Sequence, residues 1–77
     1  MRVALGADNE NECTRAVVEY LRNVAELRVM DEGSWPDSAK NIGRAVMVGQ
    51  ADFGVVMCWT GTGTSIAANK VPGVRAA

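Results

Sequence analysis

Cys58 and Trp59 stand at the head of a run of small and hydroxyl-bearing residues, Thr60-Gly61-Thr62-Gly63-Thr64-Ser65. The Cys58 thiol is suited to proton transfer or to nucleophilic attack, and both uses need the thiolate. Phe53 to Met57, just before Cys58, is a short valine-rich run, the pattern of a strand buried on both faces. Ser65 to Lys70, just after the glycines, reads as the first turns of a helix. Gly61 and Gly63 leave the turn between them free to take backbone angles that a side chain forbids. Strand, glycine-rich turn and helix in that order gather backbone N–H groups at a helix N-terminus. Those groups lack helical partners and the helix dipole favours negative charge, so the pattern predicts an anion site beside Cys58. The same surroundings would lower the thiol's pKa. Each feature also has a plainer use: cysteine often merely packs in a core, and a two-glycine turn after a strand is often only structural. The loop lacks the Gly-Lys-Ser/Thr of a P-loop. It also lacks the third glycine of a dinucleotide fingerprint, and it follows the third strand instead of the first.

The elements that must position this loop can be read in order. Arg2 to Ala7 is a first strand, with Val3, Ala4 and Leu5 apolar in succession and Asp8-Asn9 at its carboxyl end. Asn9 is placed to cap a helix over about 10–23, with Glu12 completing a capping box. Cys13, Ala16, Val17, Tyr20, Leu21 and Val24 recur at helical spacing, and Cys13 reads as core. Glu26 to Met30 is a second strand, closed by Asp31-Glu32-Gly33. Residues 34–37 read as a loop in which Pro36 is placed to start the next helix. Ala39, Ile42, Gly43 and Val46 give a second apolar stripe ending near Gly49. After the Cys58 loop, Val71-Pro72-Gly73 is a turn and Val74 to Ala77 begins a fourth strand. Alternating strands and helices predict an α/β fold with a parallel sheet. In such sheets ligands bind beyond the carboxyl ends of the strands where strand order reverses, so Asp8-Asn9 and the Cys58 loop are expected to be neighbours.

Composition narrows the function. The chain has 77 residues, a net charge of −1, two cysteines and no histidine. That size allows one small domain. The lack of histidine argues against an ordinary zinc site. Acids and bases are interspersed, so there is no basic patch to bind nucleic acid. No apolar run is long enough for a signal peptide or a membrane span. Free thiols in a reducing cytoplasm are the expected state of Cys13 and Cys58.

Three segments together carry a resemblance: Gly6-Ala7-Asp8, Asp31 to Trp35, and above all Cys58 to Ala77. They resemble the ribose-5-phosphate isomerase B family, which includes the galactose-6-phosphate isomerase subunits. The family pattern is Gly-x-Asp-His near the N-terminus and Cys-Gly-Thr-Gly-x-Gly-x-Ser-x-x-Ala-Asn-Lys after the third strand. The resemblance runs over essentially the whole chain, which corresponds to about the first half of a family member. It implies a Rossmann-like parallel sheet with flanking helices, here incomplete, with residues 1–77 the N-terminal half of a single domain. It also implies a cofactor-free and metal-free isomerase, at least dimeric, that interconverts aldose and ketose phosphates through an enediolate. Cys58 matches the family's general base. Trp59, Thr60, Gly61, Thr62 and Gly63 match the anion hole, and Ser65 falls within the same motif. Thr60 matches a residue implicated in opening the sugar ring, and Asp8 and Asn9 match the pair that contacts the sugar phosphate.

Asn9 departs from the pattern by replacing a histidine, which keeps hydrogen bonding and loses a titratable group. Trp59 replaces a glycine, and is expected to narrow the pocket or to strain the turn if that position needs a positive φ. The family's second half, with its phosphate-binding arginines and further site residues, has no counterpart here. The chain alone is therefore expected to be a weak or inactive catalyst of ribose 5-phosphate isomerisation. The alternative is a non-catalytic subunit that binds a sugar phosphate or another anion and needs a partner.

Overall fold

The computed structural model describes residues 1–30 and 35–77. Within them the order is β1 (Arg2–Ala7), α1 (Glu12–Val24), β2 (Glu26–Val29), α2 (Trp35–Met47), β3 (Phe53–Met57) and α3 (Thr62–Asn69). The strands form one parallel sheet in the order β2-β1-β3. The chain thus steps from β1 to one side and then crosses back over β1 to the other. Right-handed crossovers in opposite directions put α1 on one face of the sheet and α2 on the other. The side chains agree: Ala4 clusters with Ile42 of α2, whereas Leu5 and Ala7 line a cleft beside α1.

The α2 face holds the core. Ile42 is 2 % exposed and sits over the sheet where Gly6 and Gly54 lie on adjacent strands. A Cβ on Gly6 would come within 2.7 Å of Ile42 Cδ1, and one on Gly54 would collide with Ile42 Cγ2. The two glycines therefore make the seat that lets α2 approach. α2 ends in a Schellman turn: Gln50 N–H donates to the Ala45 carbonyl at 2.9 Å, Gly49 N–H to that of Val46 at 3.2 Å, and Gly49 takes φ +80°. Ala39 of α2 packs with Ala67 and Ala68 of α3, small side chains that bring the two helices close. At the opposite end of the sheet Arg2 and Asp52 tie β1 to β3. Arg2 N–H donates to the Asp52 carboxylate at 2.8 Å, and Asp52 N–H to the Arg2 carbonyl at 2.8 Å. The Arg2 backbone and then its guanidinium hold the Asp52 carboxyl below its ordinary pKa.

Several expectations need correction. The cap of α1 is Asn11, whose side chain accepts from Thr14 N–H at 2.9 Å; Asn9 does not cap it. Asp8 N–H still bonds to Met57 O at 3.0 Å, so the chain leaves the sheet too late for a helix to begin at residue 10. Cys13 is exposed, because α1 rests mainly on β2 and leaves this part of its stripe uncovered. Tyr20 and Val24, on the same stripe, are 65 % and 55 % exposed. β3 is an edge strand and is not buried on both faces, with Phe53 62 % exposed. Trp35, Pro36 and Asp37 belong to α2, with Pro36 in the first turn, where its missing N–H costs no helical bond. The expected close of β2 at residues 31–33 and Ser34 of the expected loop lie outside the described residues. Val74 to Ala77 is no strand; Asn69 takes up its backbone, donating to Ala76 O at 3.0 Å and accepting from Ala76 N–H at 2.9 Å.

Ile42→Ala removes the side chain that fills the seat. It should lower unfolding free energy by about 2–5 kcal/mol, read by urea denaturation. Gly54→Ala should destabilise the wild type by about 1–3 kcal/mol through overpacking, and should cost less in the Ile42→Ala background. Equal effects in both backgrounds would show that Ile42 does not set the spacing.

Candidate active site

β1 and β3 are adjacent and parallel, so their carboxyl ends lie side by side at the point where strand order reverses. Asp8 extends the ladder beyond β1 by its bond to Met57 O, which sets it level with Cys58. Asp8 and Asn9 are exposed. The Asn9 carbonyl accepts from the Thr14 hydroxyl at 2.9 Å, which fixes the turn between β1 and α1. Asp8 and Asn9 open onto a cleft of about 1010 Å³ that runs along α1 past Thr14, Arg15 and Arg22. On its other side Asp8 shares a recess with Met57 and Thr64.

The loop after β3 is built around the sulfur. Gly61 N–H donates to Cys58 Sγ at 3.2 Å, and Thr64 Oγ1 lies 3.4 Å from it. The thiol pKa is lowered, first by the hydrogen bond with the Thr64 hydroxyl, then by backbone N–H groups of Thr64, Gly61 and Thr60, against the opposing effect of burial. A thiol that receives this many donors is held towards its thiolate form, the form that takes a proton.

The rest of the loop departs from expectation. α3 begins at Thr62, three residues earlier than predicted, so the free turn spans only 58–61. Gly61 takes φ +80° as the N-cap and needs to be glycine for that reason, whereas Gly63 lies in the helix. Thr62 N–H donates to Thr60 Oγ1 at 3.3 Å. Ser65 Oγ donates back to Thr62 O at 3.0 Å and its N–H to Gly61 O, so Ser65 is tied into its own helix. Gly61 N–H, expected to face an external anion, faces the sulfur instead. Trp59 is 95 % exposed, and no described non-glycine residue has a positive φ. Trp59 therefore neither strains the turn nor fills the recess. Asp8, Asn9 and the Cys58 loop are thus gathered at one end of the sheet. Sequence reasoning had not singled out Thr64, 2 % exposed, or Thr14, 9 % exposed. Their signal was a hydroxyl at the third helical position, where it can reach back over the preceding turn. Among the described residues no cluster of His, Cys, Asp and Glu could hold a metal ion, and no helix is long and apolar enough to cross a membrane.

A sequence model of the family described as Ribose/Galactose Isomerase matches residues 3–77. The chain belongs to that family. It is 37% identical to ribose-5-phosphate isomerase B of Escherichia coli, over 97% of this chain and 55% of that protein. It is 35% identical to the galactose-6-phosphate isomerase subunit LacB of Clostridium acetobutylicum, over 100% of this chain and 49% of that one. The solved structure of Clostridium thermocellum ribose-5-phosphate isomerase B superposes with a TM-score of 0.85 at 34% identity, over 97% of this chain and 55% of that one. The chain spans about half the length of the curated relatives it matches.

The lowered thiol pKa gives a direct prediction. Iodoacetamide should alkylate Cys58 with a pH midpoint below that of a free thiol, followed by peptide mass mapping in a Cys13→Ser background. Gly61→Ala meets no clash but must hold alanine at φ +80°, at a cost of about 1–2 kcal/mol. It should move the Cys58 midpoint upward as the N–H at 61 loses its aim.

Proposed function

We propose that this chain carries the proton-transfer half of a sugar-phosphate isomerase site, with Cys58 as the general base and ribose 5-phosphate as substrate. The observation that supports this reading most directly is the thiol held towards thiolate at the switch point of the sheet, level with Asp8. In the forward direction the Cys58 thiolate takes the proton from C2 of the open-chain aldose. The C–H electron pair becomes the C1–C2 double bond of an enediolate and the carbonyl electrons move to oxygen. A proton passes from the C2 hydroxyl to the C1 oxygen, and the electron pair left on O2 closes the C2 carbonyl. The C1–C2 double-bond pair takes the proton back from the thiol at C1, giving the ketose. A base works best when its pKa lies near the working pH, and a thiol lowered from its ordinary value moves in that direction.

The remaining roles follow from placement. Asp8 and Asn9 face the cleft and are positioned to bind sugar hydroxyls. Thr60, at the outer edge of the loop, is the candidate for work on the ring oxygen. Trp59, Gly61, Thr62, Gly63 and Ser65 shape the loop. The N–H of Gly63, in the first turn of α3, is among those without a helical acceptor and suits a developing oxyanion. Ribose 5-phosphate ranks first because the Escherichia coli and Clostridium thermocellum relatives bear its name, with galactose 6-phosphate the second candidate. No cofactor or metal enters this scheme.

We read residues 1–77 as the N-terminal half of one such domain, acting in a dimer or larger assembly and in a reducing cytoplasm. The exposed Phe53, at the open edge of the sheet, together with Met47 (48 % exposed) and Val48 (68 % exposed), supports the need for a covering partner. The same surfaces favour a second reading, a binding subunit whose partner completes the site.

The two readings separate in D2O. The chain incubated with ribose 5-phosphate should form ribulose 5-phosphate slowly, with solvent deuterium incorporated at C1, as followed by NMR. Cys58→Ala should abolish this and leave sugar-phosphate binding intact. Binding without exchange by the wild type would favour the subunit reading. Neither binding nor exchange with ribose 5-phosphate or galactose 6-phosphate would sink both.

A further inference from the structure

Thr64 is almost wholly buried, yet its hydroxyl has two partners that compete for one proton. Thr64 Oγ1 lies 3.1 Å from the Gly61 carbonyl and 3.4 Å from Cys58 Sγ. The Gly61 oxygen can only accept. The sulfur accepts as thiolate and donates as thiol. A hydroxyl with one hydrogen cannot donate to both, so the two protonation states of Cys58 require two settings of the Thr64 hydroxyl. With the thiol, S–H donates to Oγ1 and the Thr64 O–H turns to Gly61 O. With the thiolate, the Thr64 O–H turns to the sulfur. Each state keeps the sulfur hydrogen-bonded to the hydroxyl, and neither needs a heavy atom to move.

We propose that Thr64 is a positioning residue for Cys58, its hydroxyl turning between the sulfur and the Gly61 carbonyl as the proton comes and goes. This rests on Cys58 acting as the base. The step is balanced: the proton passes between substrate carbon and sulfur, and Thr64 keeps its own proton throughout. A hydrogen bond to an ionised acceptor is stronger than one to a neutral acceptor, so the hydroxyl favours the thiolate. The Gly61 carbonyl stops the preference from becoming absolute, because the Thr64 proton has a second acceptor when the sulfur carries its own. Gly61 thereby acts twice on the same thiol, through its N–H on the sulfur and through its carbonyl on Thr64. The charged groups on the neighbouring elements are Asp8 at the end of β1, and Asp37, Lys40 and Arg44 on α2. α3 carries none from Thr62 to Asn69.

The test uses the 77-residue chain with Cys13→Ser and reads Cys58 alkylation by iodoacetamide against pH. Thr64→Val keeps the shape and removes the hydroxyl; its alkylation midpoint should rise towards that of a free thiol. Thr64→Ser restores the hydroxyl and should return the midpoint close to wild type. A Thr64→Val midpoint equal to wild type overturns the proposal. So does a Thr64→Ser midpoint that rises as far as that of Thr64→Val, since loss of packing would then explain both. Should Thr64→Val fail to fold, Thr64→Ala against Thr64→Ser makes the same comparison. Alkylation needs no substrate, so its outcome is independent of turnover: normal midpoint shifts without isomerisation would overturn the isomerase reading and leave the Thr64 assignment standing. Where turnover is seen, Thr64→Val should move the acid limb of the kcat profile upward with KM little changed.

Discussion

Every feature of the site depends on β1 lying between β2 and β3 in one parallel sheet. Parallel strands end at the same edge, so the residues that follow β1 and β3 have to meet there. The bond from Asp8 N–H to the Met57 carbonyl makes this concrete, since it extends the ladder one residue past β1 and holds Asp8 level with the thiol. The pairing in turn depends on α2, which must cross from β2 to β3 over β1. It can approach only because Gly6 and Gly54 leave room for Ile42. Ion pairing between Arg2 and Asp52 fixes the other end of the same two strands, but both side chains are nearly half exposed and water screens them. Burial beneath α2 is the stronger constraint.

At the site itself the notable physical fact is the direction of the hydrogen bonds. Backbone N–H groups at a helix N-terminus are commonly read as a receptor for an external anion. Here Gly61 N–H points at the chain's own sulfur, and Thr64 adds a hydroxyl. The donors of the loop are thus turned first on the chain's own sulfur, which lowers the thiol pKa. The unstrained, outward Trp59 follows from the same arrangement: the left-handed position of the turn is taken by Gly61, so residue 59 need not be glycine.

The two faces of the sheet are unequal. α2 and α3 together cover one face with small side chains at their contact. α1 leans mainly on β2, and a wide cleft opens along it from Asp8 and Asn9. The cleft brings the polar end of β1 within reach of a small molecule. The exposure of Phe53, Tyr20 and Val24 is the physical consequence of leaving that face half covered.

The chain sequence by itself determined the α/β class, β1 and β3 to the residue, and the gathering of Asp8, Asn9 and the Cys58 loop. Those follow from local apolar runs and from the geometry that any parallel sheet imposes. The three segments Gly6 to Asp8, Asp31 to Trp35 and Cys58 to Ala77 together carried the family, which the match over residues 3–77 bears out. Tertiary structure decided what local pattern leaves degenerate. Asn9 has the residue type of a cap, but the length of the β1–β3 ladder moves the start of α1 on, and Asn11 caps it instead. Cys13 and Tyr20 sit on an apolar stripe, and only the placement of α1 over β2 leaves them in solvent. Val74 to Ala77 has strand composition, but the Asn69 side chain takes up its backbone groups instead. Thr64 shows in the sequence only as a hydroxyl early in a helix; its two acceptors are set by how the turn folds over the sulfur.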